Sequence, residues 1–198
     1  MSCCILAPLE SQRSEVPARH PKVAAILKEK SLKRGHFVLA SGATSDYYID
    51  GKMTCLDPIG ASLIAEAILE EIADLPVAAV GGMDMGATPI VGSLAVKLAD
   101  AKRLLPVFVV RKETKAHGTM KPIEGPLPAP CAVAIIDDVV TSGGSIIKAI
   151  DAVEAVGCKV LLAISVLDRN AGATEALAAR NIPYRPLVTL ADLGISTK

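Results

Sequence analysis

AVAIIDDVVTSGGSII, residues 132 to 147, is the segment from which the fold of this chain can be read. Its first five residues, Ala132 to Ile136, are small or β-branched and uninterrupted by polar groups, which predicts a parallel strand buried on both faces. Asp137 and Asp138 end that run. Val139 and Val140 follow, then the small polar loop Thr141-Ser142-Gly143-Gly144-Ser145, and then IIKAIDAVEAVG, whose spacing predicts a helix stopped at Gly157. A glycine pair before a helix lets backbone N–H groups approach an oxyanion, and the helix dipole favours negative charge there. Carboxylates serve a different partner: they accept hydrogen bonds from a diol such as that of ribose, or hold hydrated Mg²⁺ indirectly. Acid pair plus anion cradle therefore reads as a sugar-phosphate site. Taken singly, an Asp-Asp pair can simply end a strand, and Ser, Thr and Gly can simply cap a helix.

Outward from this segment, 198 residues suffice for one domain with a sizeable core but hardly for two independent ones. Half of the chain is hydrophobic yet only 3% is aromatic, so aliphatic side chains must build the core, as where helices pack on a parallel sheet. Lysine plus arginine equals aspartate plus glutamate at 21 each, which leaves no global field to draw the chain onto nucleic acid or an anionic membrane. Cys3, Cys4, Cys55, Cys131 and Cys158 form no CxxC pair, which argues against a zinc site and a disulfide framework. The opening MSCCILAPLE has no basic segment before its short apolar run, so neither a signal peptide nor a membrane span is expected, and a cytoplasmic location is.

Residues 1–20 hold Pro8 and Pro17 among polar residues and read as a loosely ordered lead; 21–198 read as a single domain. A helix is expected from about Val23, with Val23, Ile26, Leu27 and Lys30 in successive turns and Gly35 as its stop. Phe37-Val38-Leu39 and Tyr47-Tyr48-Ile49 predict a short hairpin, so that about 21–55 form a small hood. From about 56 to 190 the pattern alternates: Asp57-Pro58 caps a helix, Val77–Gly81 is a strand, and GGMDMGATPI turns into a helix reaching Asp100. Strands follow at Val107–Arg111, in the opening segment, at Val160–Leu167 and, at an edge, at Leu187–Leu190. An α/β fold results, a parallel sheet flanked by helices with ligands at its carboxyl edge. RKETKAHGTMKPIEG, residues 111–125, keeps neither periodicity and reads as a mobile basic loop. Beside an acid-and-phosphate cradle such a loop can fold over a pyrophosphate and exclude water.

The ordered string IIDDVVTSGGS resembles the phosphoribosyl pyrophosphate motif of the type I phosphoribosyltransferases. F-x-L-x-S-G-x-x-S-x-Y-Y-I-D from Phe37, R-K-x-x-K-x-H-G from Arg111 and L-D-R at Leu167 to Arg169 resemble the orotate phosphoribosyltransferases in particular, in family order. The resemblance implies that fold, with a hood and a mobile catalytic loop. It implies orotate and phosphoribosyl pyrophosphate as substrates, and orotidine 5′-monophosphate and pyrophosphate as products, in de novo pyrimidine synthesis. Lys115, His117, Asp137 and Asp138 are the implied catalytic residues. Phosphoribosyl pyrophosphate would meet Arg111, Lys112, Lys115 and His117, and the run Asp137, Asp138, Val139, Val140, Thr141, Ser142, Gly143, Gly144 and Ser145. Orotate would meet Tyr48, Ile49, Thr141 and Arg169, the guanidinium suiting its carboxylate. Mg²⁺ would be held mainly through substrate and water, without a firm protein ligand. A homodimer with shared active sites is implied, with no nucleic acid or membrane partner. Ala40 and Met85 stand where some relatives carry lysines.

Rival assignments fit the residues less well. A purine phosphoribosyltransferase would have no use for the tyrosine hairpin and Arg169. A donor-sensing transcriptional regulator would need a DNA-binding module and a basic face. A P-loop kinase would need GxxxxGK[ST], which is absent from the chain.

Overall fold

The structure is a computed structural model and describes residues 18–38, 42, 44–112 and 121–196. Helix α1 (Pro21–Lys30) is followed directly by strand β1 (Leu32–Val38), paired antiparallel with β2 (Thr44–Ile49) in a sheet of its own. Gly35 is not the stop of α1. The helix already ends on Ser31, and Gly35 lies inside β1, where the register slips between Arg34 and Phe37; an extra residue in a strand is a common use of glycine. The short helix α2 (Lys52–Cys55) links this hairpin to α3 (Pro58–Glu71). Asp57 caps α3 as its sequence suggests, its Oδ1 accepting the N–H groups of Ile59 and Gly60 at 3.0 Å.

The main sheet contains β3 (Ala79–Met83), β4 (Val107–Val110), β5 (Ile123–Glu124), β6 (Ala132–Val140), β7 (Lys159–Asp168) and β8 (Tyr184–Thr189). Their spatial order is β5-β4-β3-β6-β7-β8, all parallel except β5. The chain moves from β3 outward to β4, then returns to lay β6 on the other side of β3. The crevice between β3 and β6 is thus the switch point at which an open parallel sheet receives ligands. Helices α4 (Thr88–Asp100), α5 (Gly144–Glu154) and α6 (Ala173–Ala178) complete the layers. Strand β5 lies within the expected mobile loop, so the end of that segment is tied to β4 by the Val109–Glu124 and Val110–Ile123 pairs.

Period-two alternation along β6 divides the core. Ala134 and Ile136 face the cluster that holds α1, α3 and α4, whereas Val133 and Ile135 face the one that holds α5. The expected end of this strand at the acid pair is not what the fold adopts. Pairing with β7 continues through Asp137–Ser165, Val139–Leu167 and Val140–Asp168, because ladder bonds to a central neighbour outweigh the poor strand preference of aspartate. Arg19 and His20, in the expected lead, are anchored on buried Glu71: Arg19 Nε lies 2.7 Å and His20 Nε2 2.9 Å from its Oε1. Residues 1–17 lie outside the described residues. Among those described, no helix is long and apolar enough to cross a membrane.

Candidate active site

Alternation does not stop at Ile136: the two acids leave β6 toward different partners, although an oxygen of each still borders the same cavity. Asp137 points to the α5 side, where its Oδ2 accepts the Ser145 hydroxyl at 2.5 Å. Asp138 points to the hood side, where Lys52 Nζ stands 3.6 Å from its Oδ2. Each carboxylate also takes a backbone N–H: that of Asp138 reaches Asp137 Oδ1 at 3.0 Å, and that of Val139 reaches Asp138 Oδ1 at 2.8 Å. The pair is nearly closed off from solvent, with 4% of Asp137 and 9% of Asp138 exposed. Burial pushes the Asp137 carboxyl up to about 6, partly opposed by the Ser145 hydrogen bond and reinforced by the neighbouring Asp138 charge.

The turn from β3 into α4 closes against these acids. A Cβ on Gly86 would lie 2.5 Å from Asp137 Oδ1 and 2.6 Å from Asp138 Oδ1, so only glycine permits this approach. Asp84 in the same turn accepts the Thr88 hydroxyl at 2.8 Å. A cavity of about 360 Å³ opens between the elements, lined by Met83, Asp84, Met85 and Gly86, by the acid pair and Ser145, and by Lys52, Lys112 and Lys148.

Beyond the acids, Val139 is half-buried and Val140 buried, while Thr141, Ser142, Gly144 and Ser145 are exposed. Gly143 turns the chain into α5 with φ of 82°, and among the described residues no side chain caps the helix there. The first N–H groups of α5 therefore face outward without an intrahelical acceptor, the arrangement that binds anions. The dipole adds its positive end. Such a turn is what its glycines and hydroxyls predict.

Arg169 reaches the same edge through the sheet register. Val140 pairs with Asp168, and the Arg169 N–H donates to Val140 O at 2.9 Å. Its Nη2 donates to the carbonyl of Ile49, the last residue of β2, at 3.3 Å. Its Nε is buried and has no hydrogen-bond partner among the described residues. A charged donor left idle in this way is costly unless a ligand meets it. No ion pair joins Arg169 to Asp168 among the described residues; Asp168 Oδ1 accepts the Asn170 N–H at 2.8 Å instead. A second, wider cleft of about 730 Å³ runs past Arg169 between the hairpin and the C-terminal segment, with Arg34, Tyr47 and Ser196 also on its walls.

The two expected tyrosines divide. Tyr47 packs on the core, and Tyr48, two-fifths exposed, lies against Phe37 with ring centroids 5.6 Å apart. Of the expected basic residues, Lys112 lines the acid-pair cavity and Arg111 pairs with Glu124. Lys115 and His117 lie outside the described residues, as does Ala40. Lys52 and Lys148 were not anticipated. A lysine opening a four-residue helix carries no periodic signal, and Lys148 looks like any exposed position of α5 until β6 and α5 are placed together. No group of three or more His, Cys, Asp or Glu side chains that could hold a metal occurs among the described residues.

A model of the phosphoribosyl transferase domain family matches residues 57–180. An orotate phosphoribosyltransferase of Rhodopirellula baltica is 40% identical over 177 residues, covering 86% of this chain and 92% of that protein. One of Corynebacterium glutamicum is 38% identical over 188 residues, covering 95% of this chain and all of that protein. The crystal structure of Mycobacterium tuberculosis orotate phosphoribosyltransferase in complex with 5-phospho-α-D-ribosyl 1-diphosphate superposes with a TM-score of 0.76 at 32% identity, over 89% of this chain and 99% of that one.

Proposed function

The chain belongs to the orotate phosphoribosyltransferase family and transfers ribose 5-phosphate from phosphoribosyl pyrophosphate to orotate in pyrimidine synthesis, and we propose the following division of labour among its residues. The N–H groups and hydroxyls of Thr141 to Ser145 take the 5′-phosphate. Asp137 and Asp138 accept the ribose hydroxyls, a role supported by their placement near the end of β6, with only Val139 and Val140 between them and that cradle. This juxtaposition of a buried acid pair with an uncapped helix start is the observation that carries the proposal.

Orotate lies between the end of β2, at Tyr48 and Ile49, and Arg169, whose Nε, without a partner among the described residues, and remaining guanidinium edge suit a carboxylate. Thr141 borders both ligands. The ring nitrogen of orotate loses its proton readily once the ring is held, so no strong protein base is required. As the bond between C1′ and pyrophosphate loosens toward an oxocarbenium-like state, cations at Arg111, Lys112, Lys115 and His117 stabilise the departing charge. Arg111 must then exchange its Glu124 partner for pyrophosphate.

Asp84, Asp137 and Asp138 line one cavity but do not converge as a metal-binding cluster among the described residues, which fits Mg²⁺ carried mainly on substrate oxygens and water rather than in an all-protein cage. When bound, Mg²⁺ neutralises pyrophosphate charge and orients the donor. The working form is a homodimer with shared sites, in which Lys115 and His117 act in the partner's cavity; the family resemblance supports this. A reducing cytoplasm suits the thiols Cys131 and Cys158, whose sulfurs lie 3.7 Å apart. We keep the division into hood, core and basic loop, with the lead shortened by the anchored Arg19 and His20 and the loop by the strand pairing of Ile123 and Glu124.

Orotate absorbance, followed with purified protein, Mg²⁺ and phosphoribosyl pyrophosphate beside hypoxanthine, adenine, xanthine and uracil, tests the assignment. Loss of orotate requiring all three components is expected. Consumption of a different base would refute the orotate site while leaving the phosphate cradle standing.

A further inference from the structure

The cavity at the acid pair holds a cation that no sequence motif marks. Lys52 Nζ is 3.6 Å from Asp138 Oδ2, and half of the lysine side chain remains exposed, so the ammonium faces both the carboxylate and the cavity. Its backbone, by contrast, is fixed. The Lys52 N–H donates to Asp50 Oδ1 at 3.1 Å, and the Asp50 N–H donates to Ser31 O at 3.1 Å. Two residues further on, the Thr54 hydroxyl meets that of Ser31 at 2.6 Å, both residues being buried. A Cβ on Gly51 would lie 2.6 Å from Val139 Cγ2, so the start of α2 is pressed against the strand end that bears the acids. None of these anchoring contacts uses the Lys52 side chain.

Charge shows what that side chain is for. The cavity is lined by Lys52, Lys112 and Lys148 against Asp84, Asp137 and Asp138. Ionised, the two sets balance; without Lys52 the wall becomes net negative toward a donor that carries both a phosphate and a pyrophosphate. We propose that Lys52 is a positioning residue of the transfer reaction: by pairing with Asp138 it holds that carboxylate toward the sugar-phosphate cavity and offsets the acidic charge that opposes entry of the polyanionic donor. This rests on the assignment of Asp137 and Asp138 to the ribose hydroxyls.

Initial rates test it, with phosphoribosyl pyrophosphate varied at saturating orotate and the reverse, for the parent and for Lys52→Ala, Lys52→Gln, Lys52→Arg, Asp138→Asn and the Lys52→Ala/Asp138→Asn double variant, each first checked for an unchanged melting temperature. Lys52→Ala and Lys52→Gln should raise the donor KM about 10-fold, as expected of a partly screened ion pair at a cavity mouth, with the orotate KM within about twofold. Lys52→Arg should return the donor KM to within about threefold of the parent. In the Asp138→Asn background, Lys52→Ala should add little, because a residue acting through another loses its effect when that other is gone. A donor KM unmoved in the two neutral variants, a rise in both KM values alike, an arginine variant no better than alanine, or fully multiplicative effects in the double variant would each overturn the proposal. If Asp138→Asn alone leaves the donor KM unchanged, the ribose assignment fails instead, independently of Lys52.

Discussion

Replacing Asp137 by asparagine should stabilise the ligand-free protein while crippling it. Burial among β6, α5 and the Gly86 turn raises this carboxyl from 3.8 to about 6, so at neutral pH the native state carries an ionised group that the unfolded chain ionises more easily. At 1.36 kcal/mol for each pH unit, that difference is about 3 kcal/mol. Asparagine keeps the shape, and the Ser145 hydroxyl can turn to suit either amide atom, so most of the penalty should disappear; a gain of ~1–3 kcal/mol is expected. For a domain of this size that is a rise in Tm of about 3–10 °C.

The pH dependence has a definite sign. Below 3.8 both states hold the proton and the variant has no advantage. Between 3.8 and about 6 the unfolded chain has lost its proton and the native state has not, so parent stability falls as pH rises through this window. Above it the full penalty applies. Thermal melts of parent and Asp137→Asn, in chelator and without substrates, at pH 4, 5, 6 and 7.5, should therefore diverge with rising pH. Activity should fall ~10²-fold, because an amide is a weaker acceptor for a ribose hydroxyl than a carboxylate. A variant that melts below the parent at pH 7.5, or a difference that does not shrink toward pH 4, would refute the account of Asp137 as a desolvated acid.

The remaining expectations concern other parts of the site and its support. Arg169→Ala should raise the orotate KM by ~10²-fold with little change for the donor, the loss of one charge-assisted contact; equal changes in both would argue against a carboxylate site. Gly86→Ala forces a methyl to within 2.5 Å of Asp137 Oδ1, and turnover should drop at least ~10-fold, with a lowered Tm to register the displacement of the turn. Lys115→Ala and Arg169→Ala, each severely impaired at orotate concentrations near the parent KM, should regain activity there when mixed and allowed to exchange subunits, and no recovery would count against shared sites. Glu71→Ala should cost ~2–3 kcal/mol in urea melts, since it strips the buried partner from His20, Arg19 and Arg185 while the two arginines can turn to water.

The division between chain and fold is clearest around β6. Local composition sufficed for the buried strand, the glycine turn and the helix after it, because each depends on near neighbours: β-branched residues for a central strand, Gly143 for a left-handed turn, an apolar period for α5. Asp57 and Pro58 likewise announced α3 through capping chemistry confined to a few residues. The strand boundaries were less legible. Nothing near Asp137 says that β7 will extend its ladder past the acids, and nothing near Ile123 says that two residues of a basic loop will pair with β4.

By itself the sequence determined the alternating α/β class, the glycine turn into α5, the position of the acid pair and, through resemblance, the transferase chemistry. Tertiary structure alone decided which way each acid faces, Asp137 to Ser145 and Asp138 to Lys52. It also decided that Gly86 is a spacer between turn and carboxylates, and that Arg169 meets the end of the hairpin. The physical reason is range. Propensity, capping and turn preference act over a few residues, whereas desolvation, ion pairing and steric closeness depend on groups that only packing of the sheet, its helices and the hood brings within a few ångströms.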